Sequence, residues 1–138
     1  GVLARVHGAF GTFLADRPAA AQLWVAGGIG ITPFLALLRA DQVSQPTTLV
    51  YLYRTESDAA FLSELRELAE RDPLLSLQAL ASGNEPPNLD SFLPARGQLA
   101  GVECYLCGPP GMVATVRQAL RRRGITARHI HFENFGFR

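Results

Sequence analysis

Short, almost wholly apolar runs alternate along this chain with longer segments in which apolar residues recur every three or four positions. Leu23-Trp24-Val25-Ala26, Thr48 to Tyr53, Leu74 to Leu80, Cys104-Tyr105-Leu106-Cys107 and Ile130 to Phe132 read as strands. Runs without polar alternation belong to strands covered on both faces, as parallel sheets require. The segment after the second run puts Phe61, Leu62, Leu65 and Leu68 on one side of a helix and Glu64, Arg66, Glu67 and Glu70 on the other. Ser57 or Asp58 suits its N-cap, and Asp72-Pro73 stops it. An earlier helix is expected to start at Thr32-Pro33, with Thr as N-cap and Pro at the first helical position. It carries Phe34, Leu35, Leu37 and Leu38 and ends in the polar stretch from Asp41 to Pro46. Pro110 opens a third helix that runs to Arg123, with Gly124 just past its end. Val2 to His7 reads as a further short strand, and Leu89 to Leu93 as a short helical turn. Strands joined by helices give an α/β fold, a doubly wound parallel sheet of about five strands with helices on both faces.

Composition narrows this picture. The 138 residues suit one domain and leave little for a second, and 48% hydrophobic against 18% charged residues fits a globular α/β core. A formal net charge of +1 argues against a basic footprint for nucleic acid. No apolar run approaches the roughly 20 residues that span a bilayer. The chain begins at Gly1 without Met and reads as a piece of a longer polypeptide. The expected location is cytoplasmic, either as such or as the cytosolic portion of an integral membrane protein. Cys104 and Cys107 lie three apart on one strand, so their thiols are expected on opposite faces, and neither a disulfide nor a metal site is expected from them.

In an open parallel sheet, ligands bind beyond the carboxyl ends of the strands where strand order reverses. The first strand is followed there by Gly27-Gly28-Ile29-Gly30-Ile31-Thr32-Pro33. Glycines leave no Cβ against a diphosphate, and the N–H groups of the next helix offer donors and partial positive charge. A tight strand-to-helix turn needs the same glycines, so this motif alone leaves both readings open. The fourth strand is followed by Gly108-Pro109-Pro110-Gly111-Met112, which would face the first loop across one crevice. Cys107 ends that strand at the crevice; by itself it reads as a small buried hydrophobe, a common role for free Cys. Arg54 follows the second strand, where it can stack on a base, pair with a phosphate or stand as a solvated charge. Arg121-Arg122-Arg123 complements a helix carboxyl end, and His129 and His131 are expected on one face of the last strand in a structural role.

With these loops in order, the chain resembles the NAD(P)-binding domain of the ferredoxin–NADP reductase superfamily over nearly its whole length. Val25 to Phe34 is similar to that family's pyrophosphate segment, in which the resemblance gives Thr32 to the nicotinamide side. Cys107 to Met112 is similar to its second hallmark, whose Cys lies beside the nicotinamide ring. Gly8-Ala9-Phe10-Gly11-Thr12-Phe13 is similar to the family's G-P-Y-G-x-F linker, with Ala9 and Phe10 departing from Pro and Tyr. Residues 1–20 would then be the end of a flavin domain and its linker, and residues 21–138 the NAD(P)-binding domain. Glu133-Asn134-Phe135 is similar to the family's Glu-x-aromatic ending, in which the ring covers the flavin; its acidic-Asn-Phe form looks most like the ferric reductase and NADPH oxidase branch. The tail continues through Gly136-Phe137-Arg138, which leaves Phe135 and Phe137 as alternative covers.

The resemblance implies an oxidoreductase with two cofactors, NADH or NADPH on this chain and FAD mainly on another domain of the same polypeptide. Hydride would pass from NAD(P)H to FAD, and electrons would leave singly to heme, ferric iron or an iron–sulfur protein. Cys107, Glu133 and Phe135 are the expected catalytic residues. Gly27, Gly28, Gly30, Ile31, Thr32, Pro33, Arg54, Gly108, Pro109, Pro110, Gly111 and Met112 are the expected cofactor-binding residues. NADPH-specific relatives often carry Ser-Arg after the third strand; Ser82-Gly83-Asn84 stands here, and the reading leans to NADH. Without its flavin domain the chain is expected to be inactive. The alternatives are a non-catalytic nucleotide-sensing domain or a soluble dioxygenase or ferredoxin reductase component. A methyltransferase would need an acidic residue at the end of the second strand, where Tyr53-Arg54 stands.

Overall fold

Apolar runs too uniform to have a wet face become the middle of a sheet. In the computed structural model, which describes residues 21–40, 43, 45–54, 61–81, 93 and 101–134, five strands form one sheet. They are β1 (Ala21–Gly27), β2 (Thr47–Tyr53), β3 (Leu75–Ala81), β4 (Val102–Gly108) and β5 (Ile130–Asn134). The order is β3-β2-β1-β4-β5 and every pairing is parallel, so order reverses between β1 and β4. Helices α1 (Ile31–Arg39) and α2 (Leu62–Arg71) cover one face, and α3 (Pro110–Arg122) covers the other. This is the doubly wound arrangement expected from the alternating pattern.

Alternation along each strand divides the core. Trp24, Ala26, Leu49, Tyr51, Tyr105 and Cys107 pack under α1 and α2 with Ile31, Phe34 and Leu65. Leu23, Val25, Val50, Cys104 and Leu106 pack against Val113, Val116 and Leu120 of α3. The two cysteines therefore lie in different halves of the core, both as free thiols. Burial pushes each thiol up to about 12, with the charge of Glu103 adding to Cys104 and that of Glu133 to Cys107.

Several boundaries differ from the sequence expectation for local reasons. Residues Gly28–Gly30 already wind as a 3-10 turn, so α1 starts at Ile31 with Gly30 as its N-cap. Thr32 and Pro33 therefore sit inside the first turn, where a missing proline N–H leaves no intrahelical bond unmade. β3 starts one residue late because Asp72 holds a turn: its Oδ1 accepts from the Leu74 N–H at 2.9 Å, and its carbonyl from the Leu75 N–H at 3.1 Å. Phe61 stands at the N-cap of α2; Ser57 and Asp58 lie outside the described residues. At the end of α3, the Ile125 N–H donates to the Leu120 carbonyl and the Gly124 N–H to that of Arg121, with Gly124 at φ +96°. This paired closure ends the helix as Gly124 led us to expect. The expected strand at Val2 to His7 lies outside the described residues, as does the turn before Leu93.

Candidate functional site

The carboxyl ends of β1 and β4 meet at the point where strand order reverses, and the glycine loops that follow them touch. Register brings Ala26 opposite Cys107, and Gly27 opposite Leu52 of β2. A Cβ on Gly30 would lie 2.2 Å from the Cys107 carbonyl oxygen and 2.8 Å from the Gly108 Cα, so the turn packs backbone against backbone. Met112 closes the floor, its methyl standing where a Cβ on Gly27 or Gly108 would be. Gly28 is different. It has φ +56°, is exposed, and a Cβ there would meet nothing within 4 Å; Gly111 across the crevice is equally open. Three close-packed glycines, Gly27, Gly30 and Gly108, thus hold two open ones at the mouth, beside the amino-terminal ends of α1 and α3. Those ends carry backbone donors and partial positive charge, which suit a diphosphate.

Most of the expected cofactor residues gather at this edge, in different capacities. Gly27, Gly28, Gly30, Gly108, Pro109, Pro110, Gly111 and Met112 form the two facing loops. Thr32 is exposed on the first turn of α1, while Ile31 and Pro33 turn into the core, so any part they take in binding is through backbone alone. Arg54 is exposed immediately past β2, at the same end of the sheet. Gly108, rather than Cys107, ends β4, and the Cys107 side chain is 0% exposed. Its partner in register is Glu133 of β5, half-buried on the neighbouring strand. Phe135 and Phe137 lie outside the described residues.

One polar cluster was not anticipated as a unit. Glu103, buried at the start of β4, accepts from His129 Nδ1 at 2.5 Å on one oxygen and from His131 Nε2 at 2.7 Å on the other. Burial opposes its ionisation, but the two imidazoles outweigh that and hold the carboxyl below the usual range. His131 also stacks on Tyr105 at 4.9 Å. His129 lies in the 3-10 turn Ala127–His129 and not on β5, which corrects the expectation that both histidines share the strand. A single carboxylate inside an otherwise apolar strand was the available signal for this cluster.

An open cavity of about 440 Å³ lies at the other end of the sheet, lined by Leu38, Arg39, Leu68, Arg71 and Leu75. The carboxyl ends of α1 and α2 point there, and their exposed carbonyls disfavour a phosphate. Among the described residues no cluster of His, Cys, Asp and Glu could hold a metal ion, and no helix is long and apolar enough to cross a membrane.

A switch-point crevice flanked by paired glycine loops defines a dinucleotide-binding domain of the doubly wound class. Residues 24–118 match the oxidoreductase NAD-binding domain family, and the chain belongs to that family. It is 33% identical to the ferredoxin–NAD(P)(+) reductase component of the naphthalene 1,2-dioxygenase/salicylate 5-hydroxylase systems of Ralstonia sp., over 98% of this chain and 44% of that protein. It is also 33% identical to the toluate 1,2-dioxygenase electron transfer component of Pseudomonas putida, over 93% of this chain and 41% of that one. The crystal structure of an Amycolatopsis cytochrome P450 reductase superposes with a TM-score of 0.71 at 27% identity, covering 88% of this chain and 39% of that one. The chain thus spans less than half the length of the curated relatives it matches.

Proposed function

We propose that this chain is the nicotinamide-nucleotide half of a flavin-dependent reductase, with FAD carried by another domain of the same polypeptide. The observation that carries the reading is the contact between the Gly27–Gly30 turn and the Cys107–Met112 loop, with Glu133 on the rung beside Cys107. NADH or NADPH would supply a hydride and FAD would accept it.

The residues of this chain have definite tasks in that reading. The open backbone at Gly28 and Gly111 admits a diphosphate, and the N–H groups opening α1 and α3 donate to it. Thr32 orients the nicotinamide side, and Arg54 grips the adenosine end by stacking or by a phosphate contact. Cys107 keeps its thiol protonated at neutral pH, which makes it a neutral, polarisable wall and not a nucleophile. Glu133 brings a carboxylate to the same edge, and Phe135 or Phe137 shields the flavin from water. Residues 1–20 form the end of the flavin domain and the linker. Absence of Arg after β3, where Ser82-Gly83-Asn84 stands, favours NADH.

The electron acceptor is a heme, ferric iron or iron–sulfur centre. Reductase components of oxygenase systems among the relatives favour an oxygenase-type acceptor, whereas the Glu133-Asn134-Phe135 ending favours a ferric reductase. The test is to follow flavin absorbance in the full-length protein on anaerobic addition of NADH or NADPH. Bleaching, faster with NADH, is expected; an oxidised flavin with both donors overturns the reading.

A further inference from the structure

Among the described residues, polar contacts to β4 fasten the end of β5 that carries Glu133 on its own face of the sheet. Among the described residues β5 is an edge strand that pairs with β4. α3 packs over its other face, where Ile130 joins the core, whereas among the described residues the core under α1 and α2 draws on β1, β2, β3 and β4. On that face its fastening to β4 is polar: the Glu103 carboxylate between His129 and His131, and the Tyr105–His131 stack. Glu103, Tyr105 and Cys107 alternate along one face of β4. His131 and Glu133 do the same on β5, and register sets Tyr105 against His131 and Cys107 against Glu133. The clasp and the Cys107–Glu133 rung are consecutive steps of one ladder. A slip of one residue would send Glu133 to the opposite face, and a slip of two would carry it roughly 7 Å along the strand.

We propose that Glu103 and His131 are positioning residues for the reaction, fixing the register that sets the Glu133 carboxylate beside Cys107. This rests on the reductase reading above. Tyr105 and Cys107 share the face of β4 that carries Glu103, Glu133 lies on the same face of β5, and the Nε of Arg128 lies 3.4 Å from His129 Nε2. Neutral imidazoles suffice to donate to both carboxylate oxygens, so the clasp works as a fastening and needs no proton transfer.

The test is a double-mutant cycle in the full-length flavoprotein, reading the saturating rate of flavin reduction, the KM for NADH and the melting temperature. Glu103→Gln should slow saturating flavin reduction by roughly tenfold or more while leaving KM within about twofold, because misplacement acts on the reacting geometry. In a Glu133→Gln background the same change should have little further effect on the rate. His131→Gln, which keeps an N–H donor, should retain most of the activity that His131→Ala loses. Should Glu103→Gln fail to fold, His129→Ala removes one of the two bonds from a half-exposed position and serves in the same cycle. Rate losses that multiply independently of Glu133, or a change in melting temperature alone, overturn the proposal. So does a Glu133→Gln variant as fast as the parent. Absence of flavin reduction in the unmutated protein instead overturns the reductase reading itself.

Discussion

The Gly30 Cα sits so close to the Cys107 carbonyl oxygen that a Cβ on it would lie 2.2 Å away. Backbone from two different crossover units meets there, and the contact joins the turn after β1 to the end of β4. Neither side can yield without moving a strand. Gly30→Ala should cost on the order of 1–3 kcal/mol from overpacking and weaken NADH binding as well. Urea denaturation followed by fluorescence titration with NADH measures both.

Gly28→Ala should separate the two effects. The space around Gly28 is open, so its cost is the left-handed backbone at φ +56°, on the order of 1–2 kcal/mol. A methyl at the mouth of the crevice should nevertheless weaken dinucleotide binding by more than the stability loss accounts for. Equal binding by the variant and its parent would remove Gly28 from the proposed diphosphate cradle.

Cys107 and Cys104 should both resist alkylation in the folded protein. With the thiols pushed up to about 12, almost no thiolate exists at pH 8. Mass spectrometry after iodoacetamide treatment should show unmodified protein under native conditions and double labelling in denaturant. Their folded pKa values exceed the unfolded ones, so this contribution to stability is full below about pH 8.5 and fades as pH rises toward 12. Cys107→Ala in the full-length protein should slow flavin reduction far more than it weakens nucleotide binding. Equal losses in both would mark the thiol as merely a core residue.

Glu103 has the opposite sign. Its folded pKa lies below the unfolded value of about 4.3, so its stabilisation is complete above that value and is lost as pH falls through the folded pKa. Denaturant midpoints across pH 3 to 7 should drop at the acid end, and Glu103→Gln should remove part of that drop. A parallel acid dependence in both proteins would show that the clasp contributes nothing to it.

Trp24 stacks on Phe34 at 4.9 Å and donates from its indole N–H to Gln22 Oε1 at 2.7 Å. As the chain's single tryptophan, it reports on the core beneath α1. Phe34→Ala should destabilise the domain by about 3–5 kcal/mol and shift the native emission to the red. An unshifted spectrum would mean that the core closes over the vacated space.

Apolar runs bounded by turn residues were enough to order the strands and helices along the chain. Consecutive apolar residues such as Trp24-Val25, Leu49-Val50 and Tyr105-Leu106 point to opposite faces and so required a sheet covered on both, and the parallel α/β class followed from residue type alone. Both glycine loops were legible too, since few residues besides glycine tolerate such turns. Local hydrogen bonding moved the boundaries: the 3-10 turn at Gly28–Gly30 and the Asp72 turn each shifted an element by one residue or so. Long-range pairing decided the rest. Glu103 is far from His129 and His131 in sequence, and periodicity within a segment carries no information about which strand lies alongside another. Only the β4–β5 register makes them a clasp and sets Cys107 beside Glu133, because a pairing between strands is fixed by the packing of the whole sheet.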